Sequence, residues 1–175
     1  NVVVARGDGI LQQFNFSLGG GHITGDLANY LNISFTQAEA LKRKVVLSLD
    51  VVENDVYEIN SGRDEAVTFQ ADIVNEIVME RIGSIAKTIA KSLNGCIYDF
   101  PDHIPYHLTG GGLAYIKGAR DYISKVLGKE VEITAPSLPQ FNRPHLSSSL
   151  GLLDMILDHS PAVKKKGFFE KLFGK

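Results

Sequence analysis

The most regular pattern along the chain is a repeat of apolar residues between residues 71 and 93. These apolar residues recur at spacings of three and four, which places them on one face of an α-helix. They are Val74, Ile77, Val78, Ile82, Ile85, Ile89 and Leu93. Asn94-Gly95 follows and ends the repeat. We therefore predict a long amphipathic helix that packs on the core.

Two regions carry the pattern of paired strands. Residues 1–18 contain two β-rich runs around the turn signal Gly7-Asp8-Gly9, which predicts a hairpin. Residues 45–70 contain the runs VYEI and AVTFQ, separated by the polar segment NSGRDE. We expect strands there too, in a less regular arrangement.

Two shorter helices are predicted between these strand regions. The first follows residue 21, with Thr24 as its N-cap and Asp26 in its first turn. The second lies in SFTQAEALKRKVV, where Thr36 and Glu39 have the spacing of a capping box.

The remaining third of the chain alternates strands and helices. We predict a buried strand at 104–109, a helix over 113–128 with Ile116, Ala119, Ile123 and Val126 inward, and a strand at 131–134. A proline-containing irregular crossing and a last helix over 146–159 follow. The order β-β-α-α-(β)-α-β-α-β-α predicts a layered α/β domain.

Composition and charge exclude several classes of protein. The 175 residues are 44% hydrophobic and carry a formal net charge of −2, so there is no large basic face for nucleic acid. No apolar run approaches the roughly 20 residues of a transmembrane helix. The single Cys96 rules out an internal disulfide, and we expect a structural thiol.

The histidines do not predict a metal site. His103 and His107 are four residues apart, but Pro105 between them disfavours the helix that would align them. The other histidines are scattered, and nothing resembles the turn of a serine hydrolase nucleophile. We expect neither a metal nor a catalytic residue in this chain.

Two glycine triplets stand between a predicted strand and a predicted helix, at residues 19–21 and 110–112. Such a junction directs backbone N–H groups and the positive end of a helix toward one point, which suits an anion or a nucleotide. Neither a Gly-Lys-Ser/Thr phosphate loop nor a dinucleotide fingerprint is present, since Tyr115 occupies the place of the third glycine. A tight turn that packs a helix on a sheet is the alternative explanation.

The glycine segments resemble a known family. GGHITGDLANYLNISFTQAEALKRK and the Glu-x-x-x-x-Arg spacing in VNEIVMERIGSIAKTIAKSL resemble FtsA-type bacterial cell-division proteins. LTGGGLAYIKGARDYISKVLGKEVEI is similar to the adenosine-binding turn of the actin, heat-shock-chaperone and sugar-kinase superfamily, and SSSLGLLDMIL to its closing helix.

The resemblance implies an actin-like (ribonuclease-H-like) ATPase domain, of which the chain is the second half. Residues 1–24 and 100–160 would form subdomain IIA without its first strand, and residues 25–99 the inserted helical and β subdomain IIB over the nucleotide. The chain starts inside a strand, without an initiator methionine and without the Asp-x-Gly phosphate loop of the superfamily. We therefore expect no ATP hydrolysis by this chain alone.

The resemblance also implies the residues that contact ATP, which is bound with magnesium in the intact protein. The first glycines lie beneath the phosphates, the charged residues reach ribose and adenine, and the last glycines let the backbone pass flat against the base. They are Gly20, Gly21, Glu39, Lys42, Arg43, Gly110, Gly111 and Gly112. The alternative for the charged residues is a capping-box acid and a solvated helix face.

Residues 161–175 have the pattern of a membrane-targeting helix, which FtsA-type proteins also carry. Basic residues precede an aromatic face, as in short helices that lie on anionic bilayers. The residues are Lys164, Lys165, Lys166, Phe168, Phe169, Leu172 and Phe173. The alternative is a frayed end whose phenylalanines pack on the body.

The resemblance implies an ATP-binding, self-associating protein on the inner face of the bacterial cytoplasmic membrane. It would hold the tubulin-like division ring there, with weak hydrolysis at most. The alternatives are an actin-like scaffold of another assembly, such as the type IV pilus platform, a sugar-kinase fragment, and a relative that has lost its nucleotide. Gly112, where a polar residue is common, favours the last.

Overall fold

The computed structural model describes residues 1–7, 9–60, 66–101 and 103–159. The strands are β1 (Val2–Arg6), β2 (Gly9–Phe14), β3 (Val56–Asn60), β4 (Ala66–Gln70), β5 (Tyr106–Leu108) and β6 (Val131–Ile133). The α-helices are α1 (Gly20–Leu31), α2 (Phe35–Lys42), α3 (Ala71–Asn94), α4 (Ala119–Leu127) and α5 (Ser147–His159). Short 3₁₀ turns at Pro139–Phe141 and Pro144–Leu146 lie before α5. The predicted order of elements is confirmed.

The strands pair two by two. β1 with β2 and β3 with β4 form antiparallel hairpins, whereas β5 and β6 are parallel. The predicted N-terminal hairpin is therefore confirmed, although Asp8 in its turn lies outside the described residues. The hairpin is tied to the segment after α3, where the Cys96 thiol and the Ile97 N–H donate to the side-chain oxygen of Gln12.

Helix α3 is the centre of the core, as its apolar repeat predicts. It packs against α1 and α4, and Val74, Val78 and Ile82 are completely buried. α3 and α4 approach closely at Gly83, where an added Cβ would lie 3.3 Å from the Tyr122 hydroxyl. One hydrophobic cluster joins α1, α2, α3 and α4 with β3 and β6. The predicted boundary after residue 24 lies within α1, and the division into subdomains stays a prediction.

Helix α1 begins four residues before the predicted N-cap. Gly19 precedes its first turn, and the Gly19 N–H donates to Nδ1 of His22 at 3.3 Å. The prediction that Thr24 is the N-cap is wrong, because Thr24 lies inside the helix and is completely buried. Its hydroxyl is instead used in a tertiary hydrogen bond described below.

The predicted cap of α2 is also wrong. Ser34 is the N-cap: its hydroxyl accepts from the Gln37 N–H at 3.3 Å, and the Gln37 side chain accepts from the Ser34 N–H at 3.0 Å. Both Ser34–Gln37 and Thr36–Glu39 have the capping-box spacing. Glu39 is drawn away from this role because its carboxylate bonds to groups on α1 and α2.

Two predictions for the last third need correction. Helix α4 begins at Ala119 rather than at residue 113, since Gly118 has a φ of +87° and its backbone lies against Leu47 and Ser48. Strand β5 is half-exposed rather than buried, because β6 is its partner in a two-stranded sheet. The inward positions predicted for α4 are confirmed, with Ile123 among the buried residues.

An ion pair joins two of the segments that resemble the family. Arg81 on α3 donates to both carboxylate oxygens of Asp26 on α1, at 2.5 and 2.8 Å. The hydrogen bond to Asp26 is the largest influence on the guanidinium, and it raises the pKa of Arg81 despite partial burial. This bidentate pair fixes α1 on α3 and so positions the first turn of α1.

Candidate functional site

The two glycine triplets cross each other. A Cβ added to Gly20 would lie 2.5 Å from the Cα of Gly112, and one added to Gly112 would lie 3.0 Å from the Gly20 nitrogen. Gly110 has a φ of +93°, which disfavours other residues. The two triplets therefore lie against each other, and their predicted role in nucleotide binding stays a prediction. Close packing of backbone is a sufficient reason for glycine at positions 20 and 112.

The second triplet is fixed to the segment before α5. The Gly110 N–H donates to the Pro144 carbonyl at 3.0 Å, and the Thr109 hydroxyl donates to the same oxygen at 3.2 Å. An added Cβ on Gly111 would lie 3.1 Å from the Cβ of His145. These contacts hold residues 144 and 145 beside the glycine turn.

Lys42 is the centre of a hydrogen-bond network between α1 and α2. Its ammonium donates to Oε2 of Glu39 at 2.5 Å, to the Thr24 hydroxyl at 2.8 Å and to the Gly20 carbonyl at 3.2 Å. The Thr24 hydroxyl in turn donates to Oε2 of Glu39 at 2.6 Å. Because a lysine has three N–H donors, Lys42 uses all of them within the chain.

The Glu39 carboxylate is held in its ionised form. Burial acts to raise the pKa of Glu39, but hydrogen bonds from Lys42 and Thr24, the charge of Lys42 and a hydrogen bond from Arg43 outweigh it and lower the pKa. Oε1 accepts from Nε of Arg43 at 3.3 Å, and the side chain is 32% exposed. The carboxylate therefore keeps acceptor capacity toward solvent.

A cleft of about 550 Å³ opens between α2 and the second triplet. Its lining residues come from α2, the glycine turn and the segment before α5: Glu39, Lys42, Arg43, Gly111, Gly112, Tyr115, Ile116, Arg143 and His145. Five of the eight predicted contact residues thus line one cleft. Of the others, Gly20 lies against Gly112, Gly110 forms the turn, and Gly21 is exposed on the first turn of α1.

The cleft is suited in size and charge to an anionic ligand. Its lining carries three cations, Lys42, Arg43 and Arg143, against one carboxylate, Glu39. The chain as a whole has a formal net charge of −2, so this positive excess is local. The volume falls within the range of about 300–1,000 Å³ that is typical of small-molecule sites.

The sequence does not predict four of the residues that line the cleft as site residues: Tyr115, Ile116, Arg143 and His145. Ile116 lines the cleft although its apolar pattern marks it as a core residue. Arg143 and His145 lie in the proline-containing crossing, where no periodicity indicates which side chains share a face. The hydrogen bonds to Pro144 bring them to the cleft, and no local sequence signal announces such long-range contacts.

Other predictions concern metals and membranes. Among the described residues, no group of three or more His, Cys, Asp or Glu side chains is arranged to hold a metal ion. None of the helices within the described ranges combines the length and apolar character needed to cross a bilayer. The basic and aromatic residues of the predicted tail, 161–175, lie outside the described residues.

Comparison with known proteins gives the family and the fold. A family model described as cell division protein FtsA matches residues 1–151. The structure is similar to ethanolamine utilization protein EutJ from Carboxydothermus hydrogenoformans, with 23% identity and a TM-score of 0.57 over 85% of this chain and 42% of that chain. The chain thus spans less than half the length of that protein. No curated protein sequence matches the chain.

The two positive findings agree on the fold. The family match and the structural likeness together show the actin-like ATPase fold that the resemblance of the glycine segments implies. The family match covers most of the chain. This chain therefore belongs to the FtsA family of cell-division proteins.

Proposed function

We propose that the cleft binds the ribose and adenine of ATP, in a protein that polymerises and tethers the tubulin-like division ring to the cytoplasmic membrane. The observation that carries the proposal is the Glu39 carboxylate, held ionised at a glycine-lined cleft with an excess of positive charge. An ionised carboxylate accepts hydrogen bonds from sugar hydroxyls, and the positive excess favours a phosphorylated ligand.

Different residues of the chain contact different parts of the nucleotide. Glu39 accepts from the ribose hydroxyls, and the backbone at Gly111 and Gly112 leaves room for the nucleoside. Lys42 positions Glu39 and the Gly20 carbonyl, since its three donors are already used within the chain. Gly21, exposed on the first turn of α1, lies under the phosphates. Magnesium enters with the phosphates, and ATP acts as a ligand that favours polymerisation.

Membership of the FtsA family supports the division role over the pilus-platform and sugar-kinase alternatives. The pattern of residues 161–175, with Lys164–Lys166 before Phe168 and Phe169, supports attachment to anionic lipid. A helix of two turns binds weakly by itself, so filaments with many copies would provide the avidity that stable attachment needs.

Calorimetric titration of the chain with ADP and magnesium tests the cleft. We expect saturable binding by the wild type and about tenfold weaker binding by Glu39→Gln, which removes a charged acceptor. Glu76→Gln is the matched control, because Glu76 is exposed on α3 and does not line the cleft. Absence of ADP binding by the wild type would contradict the proposed ligand.

Vesicle co-sedimentation of the intact protein tests the membrane role. Anionic vesicles should retain the protein more strongly with ATP, and truncation after Val163 should abolish this retention. Vesicles of neutral lipid are the control for the lysines. Retention that depends on neither ATP nor the tail would refute the proposed tether.

A further inference from the structure

The two oxygens of the Glu39 carboxylate have different surroundings. Oε2 accepts from the Lys42 ammonium at 2.5 Å and from the Thr24 hydroxyl at 2.6 Å. Oε1 accepts a longer bond, at 3.3 Å, from Nε of the exposed Arg43. The carboxylate is thus held by Oε2 on its inner side, and Oε1 is the oxygen that a ligand in the cleft can reach.

The buried Thr24 hydroxyl has its direction set by its neighbours. It accepts from the Lys42 ammonium at 2.8 Å, so its own proton is left for an acceptor. Two acceptors are within reach, Oε2 of Glu39 at 2.6 Å and the Gly20 carbonyl at 3.3 Å. A hydroxyl has one proton, and hydrogen bonds to ionised acceptors are the shorter and stronger ones. The proton of Thr24 therefore goes to Glu39.

The helix that carries Thr24 is fixed by contacts away from the cleft. Asp26, two residues further along α1, pairs with Arg81 on α3 through both of its carboxylate oxygens. Ile23 and Leu27, also on α1, are completely buried in the core. The Thr24 hydroxyl is therefore a rigid donor against which the Glu39 side chain is oriented.

We propose that Thr24 is a positioning residue that makes the cleft select ribonucleotides. By holding Oε2, Thr24 leaves Oε1 directed at the ribose hydroxyls. Thr24 acts through Glu39, because it is completely buried and does not line the cleft itself. A site that hydrogen-bonds a substrate hydroxyl rejects the analogue without it, since the polar group of the site then loses its partner. The inference rests on the proposed function, because it requires a ribose beside Glu39.

Calorimetric titrations with ADP and with 2′,3′-dideoxyADP, both with magnesium, test this role. The ratio of the two Kd values measures selection for the ribose hydroxyls, and a loss of folded protein affects both titrations alike. We expect the wild type to bind ADP about tenfold more tightly than the dideoxy analogue. Thr24→Val, which removes the hydroxyl, should reduce this preference to about threefold or less, whereas Thr24→Ser should retain it.

Thr88→Val is the matched control for the loss of a threonine hydroxyl from a helix. The Thr88 hydroxyl donates to the Ser84 carbonyl within α3, and Thr88 does not line the cleft. This variant should therefore keep the preference of the wild type for ADP.

The outcomes separate this inference from the proposed function. If Glu39→Gln abolishes the preference for ADP while Thr24→Val retains it, the role of Thr24 is overturned and the proposed function stands. Loss of the preference in Thr24→Ser as well as in Thr24→Val would show that the hydroxyl is not the cause, and would also overturn the inference. If the wild type binds ADP without preference, or not at all, the proposed contact of Glu39 with ribose fails and the role of Thr24 fails with it.

Discussion

The two walls of the cleft differ in how far they belong to the fold. On α2, Lys42 is 7% exposed and bonded to α1 through Thr24 and Gly20. The other side, the second wall, is formed by Tyr115, Arg143 and His145. The half-exposed Tyr115 has a side-chain hydrogen bond to His145. The α2 wall therefore serves both stability and binding. Substitutions in the second wall should affect binding alone.

Gly20→Ala should have the largest effect on the stability of the fold. The new methyl group would lie 2.5 Å from the Cα of Gly112, so the crossing that holds both walls must open. We expect a loss of about 3 kcal/mol in the free energy of unfolding, measured by urea denaturation.

Gly21→Ala is the matched control for this change. A methyl group there meets no described atom within 4 Å, and alanine is the better helix former. The fold should be unaffected or slightly more stable. Equal destabilisation by both variants would show that the glycine crossing is not the cause.

Lys42→Met should have the next largest effect on the free energy of unfolding. It leaves the Glu39 carboxylate and the Gly20 carbonyl without their buried donor. We expect a loss of about 2 kcal/mol in the free energy of unfolding, discounted because Glu39 is partly exposed. Lys87→Met, at an exposed position of α3, is the control and should change stability by about 0.5 kcal/mol or less.

Acid should lower the contribution of Glu39 to the free energy of unfolding, by less than Lys42→Met lowers stability. The pKa of Glu39 is lowered from its ordinary value of 4.5, so its contribution to stability is present above that value and is lost as the pH falls through the lowered pKa. The difference in unfolding free energy between the wild type and Glu39→Gln should therefore be constant above pH 4.5 and should shrink below it. Glu76→Gln serves as the control. A difference that grows in acid would contradict the assignment.

His145→Ala, in the second wall, should have the smallest effect on stability. The side chain is exposed and its hydrogen bond to Tyr115 is at the surface. We expect a change of about 0.5 kcal/mol or less in the free energy of unfolding. A loss as large as that of Lys42→Met would mean that the second wall is structural too.

The sequence predicts an element of secondary structure well where the pattern that specifies it lies within that element. The apolar repeat of α3 and the turn of the first hairpin are local, and both elements are confirmed. Glu39 and Lys42, three residues apart on α2, likewise lie on one face of the helix and contact each other. The prediction of the N-cap of α2 was wrong because two residue pairs fit the spacing of a capping box. The tertiary contacts of Glu39 decide between the two pairs.

The second wall could not be predicted for a different physical reason. Arg143 and His145 lie in irregular backbone, where side-chain direction follows from distant hydrogen bonds rather than from periodicity. The same holds for the role of Lys42 as a positioning residue, since the Gly20 carbonyl is 22 residues away in the chain.

The most direct test of the cleft is an NMR titration of the ¹⁵N-labelled chain with ADP and magnesium. We expect saturable shifts for the amides of Arg43, Gly111, Gly112 and Tyr115, with little change in the β1–β2 hairpin. If these amides do not move, or if the shifts concentrate elsewhere in the fold, the cleft is not the nucleotide site.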